Sequence, residues 1–131
     1  MLLAAVLVAE RVSFVLVGSA ALWLQGETIR VPDVDVVPDP SEANLARLHA
    51  ALATLATRRR VVPPPRSLAA LDTVSVPTIY GKLDCLLIRG RQNWESLRRN
   101  AAPIAVAGAE VLVASAADAR ALRRAFKGEE N

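Results

Sequence analysis

The chain has 131 residues, the size of one domain, and 53% of them are hydrophobic against 22% charged, a balance that builds a core and excludes an intrinsically disordered chain. The net charge of +3 is carried almost wholly by arginine; it is compatible with phosphate or nucleic-acid ligands but too small to require them. A single cysteine, Cys85, excludes an intrachain disulfide, and one cysteine with one histidine leaves too few ligands for a Cys/His zinc site.

The N-terminal run MLLAAVLVAERVSFVLVG lacks a basic leader, and Glu10 and Arg11 interrupt it before a spanning length is reached. It reads as a buried helix over Leu2 to Arg11 rather than as a signal or membrane segment, and the protein is expected in the cytoplasm. Ser13 to Val17 is apolar and β-favouring, and it ends at Gly18, which predicts a buried strand. Ser19 is placed to cap a helix over Ala20 to Gln25, with Gly26 as its stop. Thr28 to Val31 leads through Pro32 into Asp33-Val34-Asp35-Val36-Val37, where charged and apolar residues alternate as on a two-faced strand closed by Pro38 and Pro40.

Ser41 opens a strong helix. It forms an imperfect capping box with Asn44, and Leu45, Leu48, Leu52 and Leu55 make an apolar stripe. Arg58 to Arg66 concentrates arginine and proline and reads as an exposed loop. Ser67 to Leu71 suggests a helical turn. Thr73 to Thr78 and Lys82 to Ile88 are strands, joined as a hairpin through Tyr80-Gly81. Cys85 sits in the second of them as a small buried hydrophobe. Trp94 to Asn100 fits a helix, Val106 to Val113 a strand or hairpin broken at Gly108-Ala109, and Ser115 caps a last helix over Ala116 to Phe126. This order predicts an α/β (α+β) domain spanning residues 1–131, a mixed β-sheet with helices packed on it.

Residues two apart on a strand share a face, so Asp33 and Asp35 present their carboxylates together while Val34 and Val36 turn to the core. Like charges this close repel, and a divalent cation relieves them. Mg²⁺ suits hard oxygen ligands and keeps positions open for phosphates. A strand ending in Gly18-Ser19 and opening into a helix leaves free N–H groups at a positive helix end, suited to phosphate. Thirteen residues separate Ser19 from Asp33, enough for one short helix and a return that sets the second strand beside the first. Taken singly, each motif has an ordinary structural explanation, a polar strand edge or a plain helix cap. Together they make neighbouring phosphate and metal sites, as phosphoryl chemistry requires.

VLVGSAALWLQG followed by PDVDVVPD resembles the DNA polymerase β-type nucleotidyltransferase superfamily, in which an apolar strand ending in Gly-Ser is followed by Asp-apolar-Asp on the next strand. PDPSEANLARLHAAL extends the likeness to the small bacterial AbiEii/MenT-like branch, whose members act in toxin–antitoxin pairs. The resemblance implies a third carboxylate on a later strand, where GKLDCLLI offers Asp84. In VLVASAADARALRRAFKG it implies a final helix carrying a basic residue toward the nucleotide, the position of Arg123. Where members carry a Thr and a basic residue before the first Asp, this chain has Val31 and Pro32.

The resemblance implies a minimal nucleotidyltransferase fold. Asp33, Asp35 and Asp84 would be metal ligands and catalytic residues, and Gly18, Ser19, Lys82 and Arg123 would bind the nucleotide. Lys82 could equally pair with Asp84. The cofactor would be Mg²⁺ or Mn²⁺, the donor an NTP, and the acceptor a hydroxyl of an RNA or tRNA end or of a protein. A cognate toxin or antitoxin and a second copy of the chain are further expected partners; a membrane is not. The alternative is a catalytically inactive version of the fold, acting as a binding or regulatory module. Trp23 and Trp94 are expected in the core or an interface, and His49 is given no catalytic role.

Overall fold

The computed structural model describes residues 1–29, 33–58, 61–87 and 94–127. Arg30, Val31, Pro32, Arg59, Arg60 and Ile88 lie outside them, and with them the segment entering Asp33, part of the arginine-rich loop and the end of one expected strand. Six strands form one mixed sheet in the order β3-β4-β2-β1-β6-β5. Its centre is β1 (Phe14–Val17), β2 (Val34–Pro38) and β4 (Gly81–Leu86). β1 runs antiparallel to β2, and β2 parallel to β4. β3 (Thr73–Thr78) closes one edge as a hairpin with β4, and β5 (Ala102–Val106) the other as a hairpin with β6 (Ala109–Val113). β6 lies parallel to β1. The helices are α1 (Leu2–Ala9), α2 (Gly18–Leu24), α3 (Glu42–Leu55), α4 (Pro65–Leu68), α5 (Trp94–Asn100) and α6 (Ala116–Lys127), which establishes the mixed α+β architecture expected of the sequence.

All four residues of β1 are buried, so its lack of polar alternation reflects burial on both faces. α1 stops two residues short of the expected Arg11. The N–H of Arg11 donates to Val8 O and that of Val12 to Leu7 O, with Arg11 left-handed at φ 65°. That is a Schellman closure; Val12 and Leu7, both buried, supply its hydrophobic contact. α2 ends the same way at Gly26, as expected, through Gly26 N–H to Trp23 O and Glu27 N–H to Leu22 O. Val106 to Val113 resolves as a hairpin turning at Ala107-Gly108, both with positive φ, the geometry of a two-residue type I′ loop. Cys85 is fully buried, and burial pushes its thiol up to about 12, which makes it inert. Among the described residues no helix is long and apolar enough to cross a membrane.

Ser41 caps α3 as expected by accepting from the Asn44 N–H. The reciprocal half of the capping box is not made. The Asn44 side chain is 0% exposed. Its Nδ2 donates to Ser13 O at 2.9 Å and Asp39 O at 2.8 Å, and its Oδ1 accepts from Ser13 N at 2.8 Å. It therefore latches the start of β1 to the end of β2 and aligns the two strands that carry the site. Asn44→Ala removes the acceptor of the Ser13 N–H and the side-chain donor to the Asp39 carbonyl, while Ser13 O keeps the Asp39 N–H. It is expected to cost about 2–4 kcal/mol, read as a lower urea midpoint at unchanged m-value.

Candidate active site

Register brings the carboxylates together. In the β1–β2 ladder Val17 faces Asp35, in the parallel β2–β4 ladder Asp35 faces Asp84, and in the β3–β4 hairpin Asp84 faces Ser75. Asp35, Asp84 and Ser75 thus form a row across three neighbouring strands. Asp33 lies one residue before β2. Val34 and Val36 are buried as expected, but the alternation ends at Asp35, because Val37 and Pro38 are buried as well. A cavity of about 370 Å³ opens over the row, within the range of small-ligand sites. Its lining includes Gly18, Ser19, Asp33, Asp35, Asp84 and Arg123. Six of the seven sequence-predicted residues are therefore in one place. The seventh, Lys82, has its Nζ 3.9 Å from Asp33 Oδ2 and 3.9 Å from Asp84 Oδ1.

Ser19 does not cap α2. The N-cap is Val17, no side chain accepts there, and the helix begins at Gly18. Gly18 is left-handed at φ +70°, and a Cβ on it would land on the Asp35 carboxylate. Only a glycine lets the chain turn out of β1 this close to Asp35. The end of α2 is tied to β6 by Gln25, whose Nε2 donates to Ala114 O at 2.8 Å, and to α6 by the Glu27–Arg120 ion pair. Those ties seat the α6 turn bearing Leu122 and Arg123 at the cavity. Ser115 accepts from the Asp118 N–H and starts that helix as expected.

The Asp35 carboxyl is pushed up to about 7, first by burial, then by its hydrogen bond with Asp84 and the charges of Asp84 and Asp33; Lys82 pulls weakly the other way. Asp33, Asp35 and Asp84 line one cavity with like charge and hard oxygen ligands, a donor set that fits Mg²⁺ or Mn²⁺. Among the described residues, no three His, Cys, Asp or Glu side chains are gathered closely enough to hold a metal ion as they stand. Asp35 faces Asp84 across the β2–β4 ladder, and Lys82 stands beside both Asp33 and Asp84. A cation held by all three would take the place of the Lys82 ammonium beside Asp33 and Asp84.

Five residues of the lining are not among the sequence-predicted ones: Val17, Thr73, Ser75, Leu86 and Leu122. Ser75 Oγ donates to Asp84 Oδ1 in a short contact. The hairpin turns at Ile79-Tyr80, with Thr78 opposite Gly81, and not at Tyr80-Gly81. Moving the turn by one residue shifts the partner of Asp84 by two, from Pro77 to Ser75. The turn position is therefore the signal that reveals the pair. Of the aromatic residues, Trp94 packs against the core beneath Arg98, 5.2 Å from its ring. Trp23 is 49% exposed and so is not a core residue. His49 lies outside the cavity lining, with Nδ1 2.9 Å from Pro63 O.

No protein-family model matches this chain, and no curated protein does. Among solved structures it is similar to a candidate nucleotidyltransferase from Thermotoga maritima, with a TM-score of 0.66 over 95% of this chain and 80% of that one, at 14% identity. At that identity the two share a fold.

Proposed function

We propose that the chain is a metal-dependent nucleotidyltransferase that moves a nucleotide from an NTP to an acceptor hydroxyl. The observation that carries this reading is the row of Asp35 and Asp84 on adjacent parallel strands, with Asp33 beside it and the Gly18 turn against it, all facing one cavity. The fold shared with the Thermotoga maritima protein supports it. Asp33, Asp35 and Asp84 would hold Mg²⁺ or Mn²⁺, which when bound neutralises charge on the phosphates. Gly18 and Ser19 cradle the β- and γ-phosphates. Arg123 and Lys82 add charge to the same oxygens. Asp84 takes the proton of the incoming hydroxyl. The hydroxyl attacks the α-phosphorus in line and pyrophosphate leaves.

The acceptor class we infer is an RNA or tRNA end or a protein hydroxyl, within a toxin–antitoxin pair; the resemblance to the AbiEii/MenT-like branch supports it. One observation favours a second reading, a catalytically idle binding module: Lys82 stands between Asp33 and Asp84, where an acceptor-ready metal site needs free carboxylates. Incubation with α-labelled NTPs, Mg²⁺ and a bulk RNA pool separates the two. Label transfer that vanishes in Asp35→Ala is the expected result. No transfer, or equal transfer by both proteins, leaves the idle module.

A further inference from the structure

The cavity that would hold the NTP contains a hydroxyl set against the carboxylate assigned as the acceptor's base. Ser75 lies on the edge strand β3, directly across from Asp84, and its Oγ donates to the carboxylate assigned as the proton acceptor. It is exposed, and it lines the same cavity as Gly18, Ser19 and Arg123. Ser19 and Thr73 also line that cavity, but among the described residues Ser75 is the cavity hydroxyl that donates to a carboxylate. A serine hydroxyl is a weak nucleophile until an adjacent base takes its proton, and nucleophile and base within hydrogen-bond reach are the signature of an activated one.

We propose that Ser75 is a nucleotide acceptor, so that the chain nucleotidylates itself. Ser75 Oγ forms the bond to the α-phosphorus, the bond from that phosphorus to the β-bridging oxygen breaks, pyrophosphate leaves, and the Ser75 proton passes to Asp84. The product is a phosphodiester between Ser75 and a nucleoside monophosphate. Because the modified residue lines the cavity, the attached nucleotide occupies the site, and the reaction stops at one label per chain.

This inference rests on the nucleotidyltransferase reading, and the experiment keeps the two apart. The purified chain is incubated with Mg²⁺ and each NTP, without RNA, then analysed by intact mass and peptide fragmentation. In parallel, its melting temperature is read with and without Mg–NTP. One nucleoside monophosphate per chain on Ser75 is expected, from α-labelled but not γ-labelled NTP. Ser75→Ala should abolish the adduct while melting normally without nucleotide, and Ser75→Thr should restore it. A nucleotide-dependent rise in melting temperature without any adduct, or an adduct on another residue or surviving in Ser75→Ala, overturns self-modification and leaves the site reading standing. No adduct and no nucleotide-dependent rise removes both.

Discussion

Asp35→Asn is expected to stabilise the metal-free protein and abolish its chemistry. In the folded state the Asp35 carboxyl titrates near 7, against 3.8 for the unperturbed group. Below pH 4 both folded and unfolded chains hold the proton, and the group costs nothing. Between pH 4 and 7 the folded chain binds more protons than the unfolded one, so stability falls as pH rises, and above 7 the full penalty applies. The whole displacement corresponds to about 4 kcal/mol. Asp35 is only partly buried, and solvent screening reduces this to about 1–2 kcal/mol.

Asparagine keeps the shape and a donor for Asp84 and removes the titration. The variant should therefore melt roughly 5 °C higher than wild type at pH 8 without metal, with the gap closing toward pH 4. Under the proposed function it should also lose about a thousandfold in nucleotide transfer, the several kcal/mol that a metal-held phosphate contributes. Mg²⁺ should raise the melting temperature of wild type at pH 8 and leave that of the variant unmoved. Thermal scans across pH, with and without Mg²⁺, read all three effects. A variant that melts below wild type at pH 8 would show that Asp35 is not an uncompensated charge.

That trade between stability and chemistry explains why the carboxylates are legible in the sequence when other parts of the site are not. A charged residue at every second position of an otherwise apolar strand has no packing reason to be there, so Asp33 and Asp35 stand out from the pattern alone, and Asp84 stands out in Leu83-Asp84-Cys85 for the same reason. Arg123 is reachable because a helix after a capping serine fixes which residues follow the sheet. The remainder depends on contacts that local pattern does not encode. Asn44 sits three residues after a helix-capping serine, where a capping-box side chain would point back along the chain; instead it bonds to Ser13, 31 residues away. Ser75 depends on hairpin register, and a turn displaced by one residue puts Pro77 opposite Asp84. Ser19 suggests a cap because serine prefers that position. The helix instead starts at Gly18, two residues earlier, with Val17 as its N-cap, which leaves the Ser19 hydroxyl out of that role.

Gly18 also carries the steepest structural constraint in the site. Its φ of +70° costs a residue bearing a Cβ about 1–2 kcal/mol. The added atom would land on Asp35 Oδ2 and lie 3.1 Å from both Asp35 Cβ and Cγ. Asp35 has little room to retreat, since its strand is paired on both sides by β1 and β4. Overpacking of this kind adds about 1–3 kcal/mol. Gly18→Ala is accordingly expected to lose about 3–4 kcal/mol of stability by urea unfolding. It should also break the Asp35–Asp84 contact, so the fall in stability between pH 4 and 7 flattens in the variant. The two costs separate in a double-mutant cycle. With Asp35→Gly in the background the obstructing side chain is gone, and Gly18→Ala should then cost only the backbone share, about 1–2 kcal/mol. An equal loss in both backgrounds would mean that the turn out of β1 needs glycine for its dihedral alone, and that the close approach to Asp35 is not what selects it.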